Sequence, residues 1–256
     1  MNPADKTFDF VNGELLLIDK PLHWTSFDVV GKVRNSLRIK KIKVGHAGTL
    51  DPLASGLLIV CTGKLTKKVD EYMAQEKEYT GTLTLGATTP SYDLETAIDQ
   101  QYPTEHLTEE LIHSATAQFT GEIEQVSPAH SALKVDGERA YIKARKGEQV
   151  HMKSRLVTIS EFEITRIALP EVDFRVVCSK GTYIRSLAHD FGKALGSGAY
   201  LSALRRTRSG DFHVKDAWTL TDLIGKIREL RMAAEQEALQ EPKPESDPGI
   251  GNSAIL

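Results

Sequence analysis

The chain has 256 residues and a mass of 28.3 kDa, enough for one large domain or two small ones with a buried core. Hydrophobic residues make up 40% and charged residues 26%, which excludes a collagen-like or wholly disordered chain. No apolar run approaches the roughly 20 residues that span a bilayer, and the first nine residues lack a signal-peptide pattern. Two cysteines with apolar neighbours, Cys61 and Cys178, favour buried thiols in a reducing cytoplasm.

The formal net charge of −3 conceals an uneven distribution. Residues 91–124 carry −8 and residues 235–256 carry −4, which leaves +9 on the remainder. The basic residues also cluster along the chain, most densely at positions 32–43 and 134–155. Solvated helix faces would explain such clusters, and so would one basic face that binds a polyanion such as a nucleic acid.

The first half of the chain mixes predicted strands and helices. Residues 14–19 and 57–61 have the pattern of buried strands, and the alternation at 78–85 predicts a half-buried strand. A helix is expected to start at Ser26, and a second helix is expected near 65–73. The apolar positions of the first helix are Phe27, Val29, Val30, Val33 and Leu37.

The second half continues the mixture. Its predicted elements are a helix near 108–119 capped by Thr108, a basic helix at 137–146 ending at Gly147, strands at 156–167 and 172–179, a helix at 182–195 stopped by Gly196, and a helix at 220–231. Strands and helices do not alternate strictly, so the pattern favours an α/β domain of the α+β type with substantial antiparallel pairing.

The loop at residues 45–56, with the sequence GHAGTLDPLASG, concentrates glycine and proline around the carboxylate of Asp51. An aspartate held on a rigid loop can serve as a nucleophile or a base. It can equally be a turn residue before proline that caps a backbone N–H. The residues alone leave both interpretations open.

This loop resembles the signature of the TruB family of pseudouridine synthases, in which the aspartate of such a loop is catalytic. Further segments resemble motifs of the same family, in the same order along residues 13–224. They are Asp19-Lys20-Pro21, Lys77-Glu78-Tyr79, Gly181-Thr182-Tyr183-Ile184-Arg185 and Leu204-Arg205-Arg206-Thr207. One departure is His23, at a position where the family usually has glycine. If that position needs a positive φ, histidine costs more than glycine there.

The resemblance implies a fold and a reaction. The fold would be a mixed, largely antiparallel central sheet flanked by helices and loops. The reaction would be isomerisation of uridine to pseudouridine at position 55 in the TΨC loop of a tRNA, without cofactor or metal. We expect a cytoplasmic enzyme whose partner is tRNA, which works as a monomer and has no obligate protein partner. Alternatives are a pseudouridine synthase for another RNA site and a tRNA chaperone without catalytic activity.

The resemblance also implies roles for individual residues. Asp51 would be the essential carboxylate, Arg185 its cationic neighbour, and Tyr79 the ring that stacks on the target uracil. His46 would enter the space left by the flipped nucleotide, as base flipping requires. Tyr183 and Leu204 would line the substrate pocket. Two weaker candidates for substrate binding are Lys20 and Lys64.

Residues 127–152 resemble the family's thumb-like RNA-binding insertion. We expect phosphate contacts from its basic residues and from the loop after the first helix, which would supply affinity rather than base specificity. These candidates are Lys134, Arg139, Lys143, Arg145, Lys146, Lys41 and Lys43. The catalytic domain is expected over residues 1–234, followed by a disordered acidic tail at 235–256 in place of a complete PUA domain.

A glycoside hydrolase that uses Asp51 is the least favoured alternative. Such enzymes generally need two carboxylates about 5–9.5 Å apart. The Asp51 motif offers no obvious second acid.

Overall fold

A ten-stranded sheet organises the chain, of which a computed structural model describes residues 8–131, 133–135 and 137–240. The strands of this sheet are β1 (Leu15–Lys20), β2 (Val44–His46), β3 (Ala54–Thr62), β4 (Lys77–Leu85), β7 (Gly121–Val126), β10 (Ser154–Ala168), β11 (Glu171–Cys178), β12 (Ala199–Ser209), β13 (Phe212–His213) and β14 (Trp218–Thr219). Two small hairpins lie outside it, β5 (Ala87–Thr88) with β6 (Gln100–Gln101) and β8 (Lys134–Val135) with β9 (Glu138–Arg139).

The spatial order of the main sheet is β14-β1-β3-β12-β4-β11-β10-β7, with β2 added beside β3 and β13 beside β12. Strands β1 and β14 pair in parallel, as do β3 and β12, and every other pair in this sheet is antiparallel. The expected mixed, largely antiparallel sheet is confirmed. The parallel β3–β12 pair lies at its centre and joins distant parts of the chain.

Within the described ranges, six α-helices accompany the sheet. They are α1 (Ser26–Leu37), α2 (Val69–Met73), α3 (Glu109–Ala115), α4 (Ala140–Arg145), α5 (Ile184–Ala194) and α6 (Leu220–Gln240). Apolar side chains of α1 and α6 form one core with β1 and β3. A larger core contains side chains of α3 and α5 and of strands β4, β10, β11 and β12.

Helix α1 forms close to its expected position but begins with a different cap. Thr25, not Ser26, is the N-cap, and it makes a capping box with Asp28. Ser26 is buried, for a reason given below. Phe27 was expected among the apolar positions that face the core, yet its side chain is 69% exposed. His23, at φ 65°, does occupy the left-handed region, and its N–H donates to the Pro52 carbonyl at 2.7 Å.

Several predicted elements differ in extent from the observed ones. The expected helix at 65–73 is a 3₁₀ turn at Gly63–Lys68 followed by α2, and the last residues of the expected helix at 108–119 are also 3₁₀. The basic segment at 137–146 starts as strand β9 and becomes helical only in α4.

Helix α6 is longer than the sequence pattern predicts. It continues nine residues past Arg231 to Gln240, through a run of Ala, Glu, Gln and Leu that favours helix. The first six residues of the expected disordered tail are therefore helical, and that part of the prediction is wrong. Residues 241–256 lie outside the described residues. Within the part of the chain that is described, no helix is both long and apolar enough to cross a membrane.

Candidate active site

The loop that carries Asp51 connects β2 to β3 and is fastened at several points. The buried Ser26 hydroxyl accepts a hydrogen bond from the Leu50 N–H at 2.8 Å and donates to the Leu50 carbonyl at 3.1 Å. The backbone carbonyl of Asp51 accepts a hydrogen bond from the Ala54 N–H at 3.0 Å, which closes a turn at the start of β3. The first turn of α1 therefore fixes the backbone next to the carboxylate.

Arg185 meets Asp51 from the opposite side, in the first turn of α5. Its Nε lies 2.9 Å from Oδ2 of Asp51 and 3.6 Å from Oδ2 of Asp93, and its side chain is 4% exposed. The terminal guanidinium nitrogens donate to the carbonyls of Ser91 at 3.0 Å and His130 at 2.9 Å. These bonds leave the guanidinium little freedom, and they orient it between the two carboxylates.

The environment of Asp51 disfavours its charged form. Burial raises the pKa of the Asp51 carboxyl above its ordinary value, the Arg185 guanidinium opposes that rise, and the Asp93 carboxylate adds to it. The side chain is nevertheless 39% exposed, so one face of the carboxylate stays open to a ligand. A carboxylate that is partly desolvated yet accessible is suited to nucleophilic or base chemistry.

A small recess with a cavity volume of about 20 Å³ opens beside the ion pair. Asp51, Asp93 and Arg185 form its polar side. Its remaining wall is mostly apolar and consists of Leu53, Ala54, Leu201, Ser202, Ala203 and Leu204. The structure thus brings Leu204 to Asp51, as the sequence motif predicts.

Tyr79 and His46 lie deeper around the same loop. Tyr79 points inward from β4 and is 9% exposed; burial raises the pKa of its hydroxyl, and the adjacent Arg206 guanidinium opposes that rise. Half-buried His46 ends β2, and burial lowers the pKa of its imidazole, with a further contribution from the charge of Arg206. A neutral imidazole is the form expected at physiological pH.

Lys20 is buried rather than available to an RNA. Its Nζ donates to the carbonyls of Pro21 at 2.9 Å and Trp24 at 2.6 Å. Burial lowers the pKa of this lysine to about 8, although the charge of Asp51 opposes the shift. Lys20 holds the turn between β1 and α1 through these two hydrogen bonds.

Two residues expected to bind substrate, Lys64 and Tyr183, do not line the recess. Lys64 follows the far end of β3, about 25 Å from Ala54 at 3.3 Å per residue, and its Nζ donates to Asn12. Tyr183 precedes α5, where Gln125 bonds both its N–H and its carbonyl, but its ring stacks on the Arg155 guanidinium at 4.7 Å. The structure does not bring Lys64 to the recess, and it engages the Tyr183 ring with Arg155.

The residues expected to contact phosphates differ in exposure and in whether they already form ion pairs. Lys41, Lys43, Lys134 and Arg139 are exposed. Arg145 forms an ion pair with Glu95 at 2.5 Å, and Lys146 forms one with Glu138 at 3.1 Å. Lys143 is half-buried on α4.

Two residues of the site were not predicted from the sequence. Asp93 belongs to an acidic stretch that reads as a loop, and its role follows only from its distance to Arg185. Arg206 was quoted within a basic motif but assigned no role. It is 1% exposed and donates to the Leu57 and Gly48 carbonyls. The alternation of β12 could have indicated that Arg205 and Arg206 face opposite sides of the sheet.

Two family models match the chain in succession. Residues 34–184 match the N-terminal domain of the TruB family pseudouridylate synthases, and residues 185–241 match the C-terminal domain of tRNA pseudouridylate synthase B. The chain belongs to the TruB family. The boundary between the two models falls between Ile184 and Arg185, so the Asp51–Arg185 ion pair joins the two matched regions.

The chain matches curated TruB relatives over nearly their full length. The tRNA pseudouridine synthase B of Flavobacterium johnsoniae is 62% identical over 83% of this chain and 95% of its own length. The protein of the same name from Phocaeicola vulgatus is 58% identical over 81% of this chain and 90% of its own.

Solved structures agree with this assignment. A chain of a Cbf5-Nop10-Gar1 complex has a TM-score of 0.68 and 32% identity, with 88% of this chain covered. A chain of an H/ACA RNP bound to a substrate RNA containing 2′-deoxyuridine has a TM-score of 0.64 and 31% identity. This chain spans 57% and 56% of those two.

Proposed function

We propose that this TruB family chain isomerises uridine to pseudouridine at position 55 in the TΨC loop of tRNA, with Asp51 as the essential carboxylate. The observation that carries the proposal is the pairing of half-exposed Asp51 with buried Arg185 beside an apolar recess. High identity to enzymes named tRNA pseudouridine synthase B supports the choice of reaction and substrate.

The reaction exchanges one glycosidic bond for another. The N1–C1′ bond breaks, the base turns, a C5–C1′ bond forms, C5 loses its proton and N1 gains one. Asp51 could attack C1′, add to C6 of the ring, or remove the 2′ proton. Each path begins with an ionised carboxylate, which the Arg185 guanidinium at 2.9 Å stabilises.

The apolar wall would hold the uracil ring. Leu204 lies across the recess from the carboxylate, and the buried Tyr79 ring offers a face for stacking. The Tyr79 hydroxyl is also a candidate general base for removal of the C5 proton. These contacts would fix the base while its bond to the sugar is broken.

A uridine in a folded loop must first be turned out of its stack, at a cost of a few kcal/mol. His46, neutral at physiological pH because burial lowers its pKa, can stack in the vacated space without a charge to desolvate. The exposed cations Lys41, Lys43, Lys134 and Arg139 would bind the RNA backbone. Raised salt should then weaken tRNA binding more than it slows the bound complex.

We extend the proposal to the setting of the enzyme: it acts in the cytoplasm, as a monomer, on tRNA without a protein partner. A purified chain that modifies a tRNA transcript while sedimenting as a single 28.3 kDa species would support this statement. Activity confined to an oligomer, or dependent on an added extract, would contradict it.

The central experiment incubates the purified chain with an unmodified tRNA transcript and with a transcript carrying cytidine in place of uridine 55. Pseudouridine is mapped by chemical derivatisation and sequencing. Asp51→Asn is tested beside Asp70→Asn, a matched change at an exposed residue of α2. We expect product at position 55 with the parent chain and with Asp70→Asn, and none with Asp51→Asn or the cytidine transcript.

Two results would overturn the proposal in different ways. Product at another uridine would retain the reaction but reassign the substrate. Tight, salt-sensitive tRNA binding without product from the parent chain would favour the tRNA chaperone.

A further inference from the structure

Arg206 is a cation buried beneath the catalytic loop. Its side chain leaves β12 toward the loop and is 1% exposed. Its Nε donates to the Leu57 carbonyl of β3 at 2.7 Å, and Nη2 donates to the Gly48 carbonyl of the loop at 3.1 Å. One guanidinium therefore connects β12, β3 and the loop that carries Asp51.

No carboxylate of the described residues lies within ion-pair distance of Arg206. Burial of a charge without an opposite charge is strongly unfavourable. The neighbouring Arg205 shows the ordinary arrangement: it faces the other side of the sheet and forms a two-pronged ion pair with Asp19, at 2.6 and 3.1 Å. Packing alone would be served better by an apolar residue of similar volume at position 206.

The charge of Arg206 acts on two groups that the proposed reaction uses. Its positive charge favours the ionised form of the Tyr79 hydroxyl, which lowers the pKa of that group against the effect of burial. It also disfavours the cationic form of His46. The strand register explains this reach, because Arg206 pairs directly with Tyr79 of β4 on one side and with Gly56 of β3 on the other.

The loop itself depends on the same contact. Gly48 adopts φ +97°, a conformation that favours glycine, and a Cβ at this position would lie 3.4 Å from Nη1 of Arg206. The guanidinium therefore packs directly against the loop backbone three residues before Asp51. Ser26 holds the same loop at Leu50, so the side chains of Arg206 and Ser26 fix its backbone at two points before Asp51.

We propose that Arg206 is a positioning residue for the uridine isomerisation, which fixes the catalytic loop and orients the Tyr79 hydroxyl toward the uracil. This inference rests on the proposed function. Because the side chain is buried, Arg206 does not contact RNA phosphates. Its loss should therefore lower the rate of the bound complex and leave tRNA affinity unchanged.

The test compares Arg206→Lys and Arg206→Met with Arg205→Met, the same change at the adjacent residue on the other face of the sheet. Single-turnover rates and tRNA dissociation constants are measured for each, with thermal unfolding as a check on folding. We expect a loss of 100-fold or more in rate for Arg206→Met, a smaller loss for Arg206→Lys, and dissociation constants within about 2-fold of the parent.

A double-mutant cycle with Tyr79→Phe separates positioning from a general structural role. If Arg206 acts through the Tyr79 hydroxyl, Arg206→Lys should cost clearly less in the Tyr79→Phe background than in the parent. Equal losses in both backgrounds would refute the proposal, as would parallel losses of rate and tRNA affinity. An inactive parent chain would instead refute the proposed function, so the two failures are distinguishable.

Discussion

The Ser26 hydroxyl bonds both backbone polar groups of Leu50, the residue immediately before Asp51. Ser26 is 2% exposed and Leu50 is 3% exposed, so water cannot replace either bond. This explains why a serine stands in the first turn of α1 although Thr25 supplies the helix cap. Ser26 is part of α1 in sequence, but its hydroxyl holds the backbone of the loop that carries Asp51.

Ser26→Ala should therefore damage both stability and rate. It leaves a buried N–H and a buried carbonyl without partners, which costs about 1–3 kcal/mol of unfolding free energy. Urea unfolding and single-turnover assays measure the two effects. Ser36→Ala is the matched control, since its hydroxyl only bonds the Lys32 carbonyl within the same helix. Equal effects of the two substitutions would show that the Leu50 contact is unimportant.

Asp93→Asn should change both the rate and its pH dependence. Asp93 forms a buried ion pair with Arg185 at 3.6 Å, so its neutralisation should cost roughly 10- to 100-fold in kcat. The Asp93 charge also raises the pKa of Asp51. Its removal lowers that pKa, and the acid limb of the kcat profile should move to lower pH. A limb that moves to higher pH would contradict this electrostatic account.

Gly56→Ala should prevent the central strands from pairing. Gly56 has φ +100°, and a Cβ there would lie 2.3 Å from the Arg206 carbonyl oxygen, which neither backbone can avoid. We expect an insoluble or unfolded chain. Gly225→Ala in α6 meets no atom within 4 Å and should gain about 0.5–1 kcal/mol, the helical preference of alanine over glycine. Expression yield and thermal unfolding of the pair provide the measurement.

Stability should rise between pH 8 and pH 9. Burial lowers the pKa values of Lys20 and Lys77 from 10.5 to about 8, so in this interval the unfolded chain binds more protons than the folded chain. The linkage relation then adds about 1 kcal/mol per lysine to the unfolding free energy. Near pH 10 the trend should reverse, because thiols in the unfolded chain lose their protons at about pH 9, whereas burial raises the pKa of Cys61 to about 11 and of Cys178 to about 12.

Urea unfolding at pH 8.0 and 9.0 measures this difference. Lys20→Met should reduce the rise by about 1 kcal/mol, because Lys77 keeps its own contribution. An undiminished rise in Lys20→Met would show that Lys20 is not its source.

Motifs and periodicity predicted much of this molecule, for reasons visible in particular elements. Strand β4 alternates clearly and α1 repeats its apolar residues at helical spacing, so both were located from local pattern. Asp51, Arg185 and Leu204 were found because their motifs are specific, and the structure brings them to one recess.

The residues that escaped prediction depend on contacts between distant segments. Strand β12 carries three arginines within four residues, a pattern that does not predict a buried central strand. It can lie at the centre of the sheet because Arg206 donates to the Leu57 and Gly48 carbonyls. Arg205 forms an ion pair with the Asp19 carboxylate on the other face. Lys64 was misplaced for the opposite reason, since proximity to β3 in sequence does not reveal which end of the strand a residue occupies.

The contact between Arg206 and Leu57 also has a consequence during synthesis, because the two residues lie 149 positions apart in sequence. At about 5–20 residues per second, a ribosome needs roughly 7–30 s to reach Arg206 after it has made the Asp51 loop. Throughout that time β3, which follows the loop, lacks its pairing partner β12. A nascent chain that does not yet include Arg206 therefore lacks the contact that fixes the backbone around Asp51 in the folded protein.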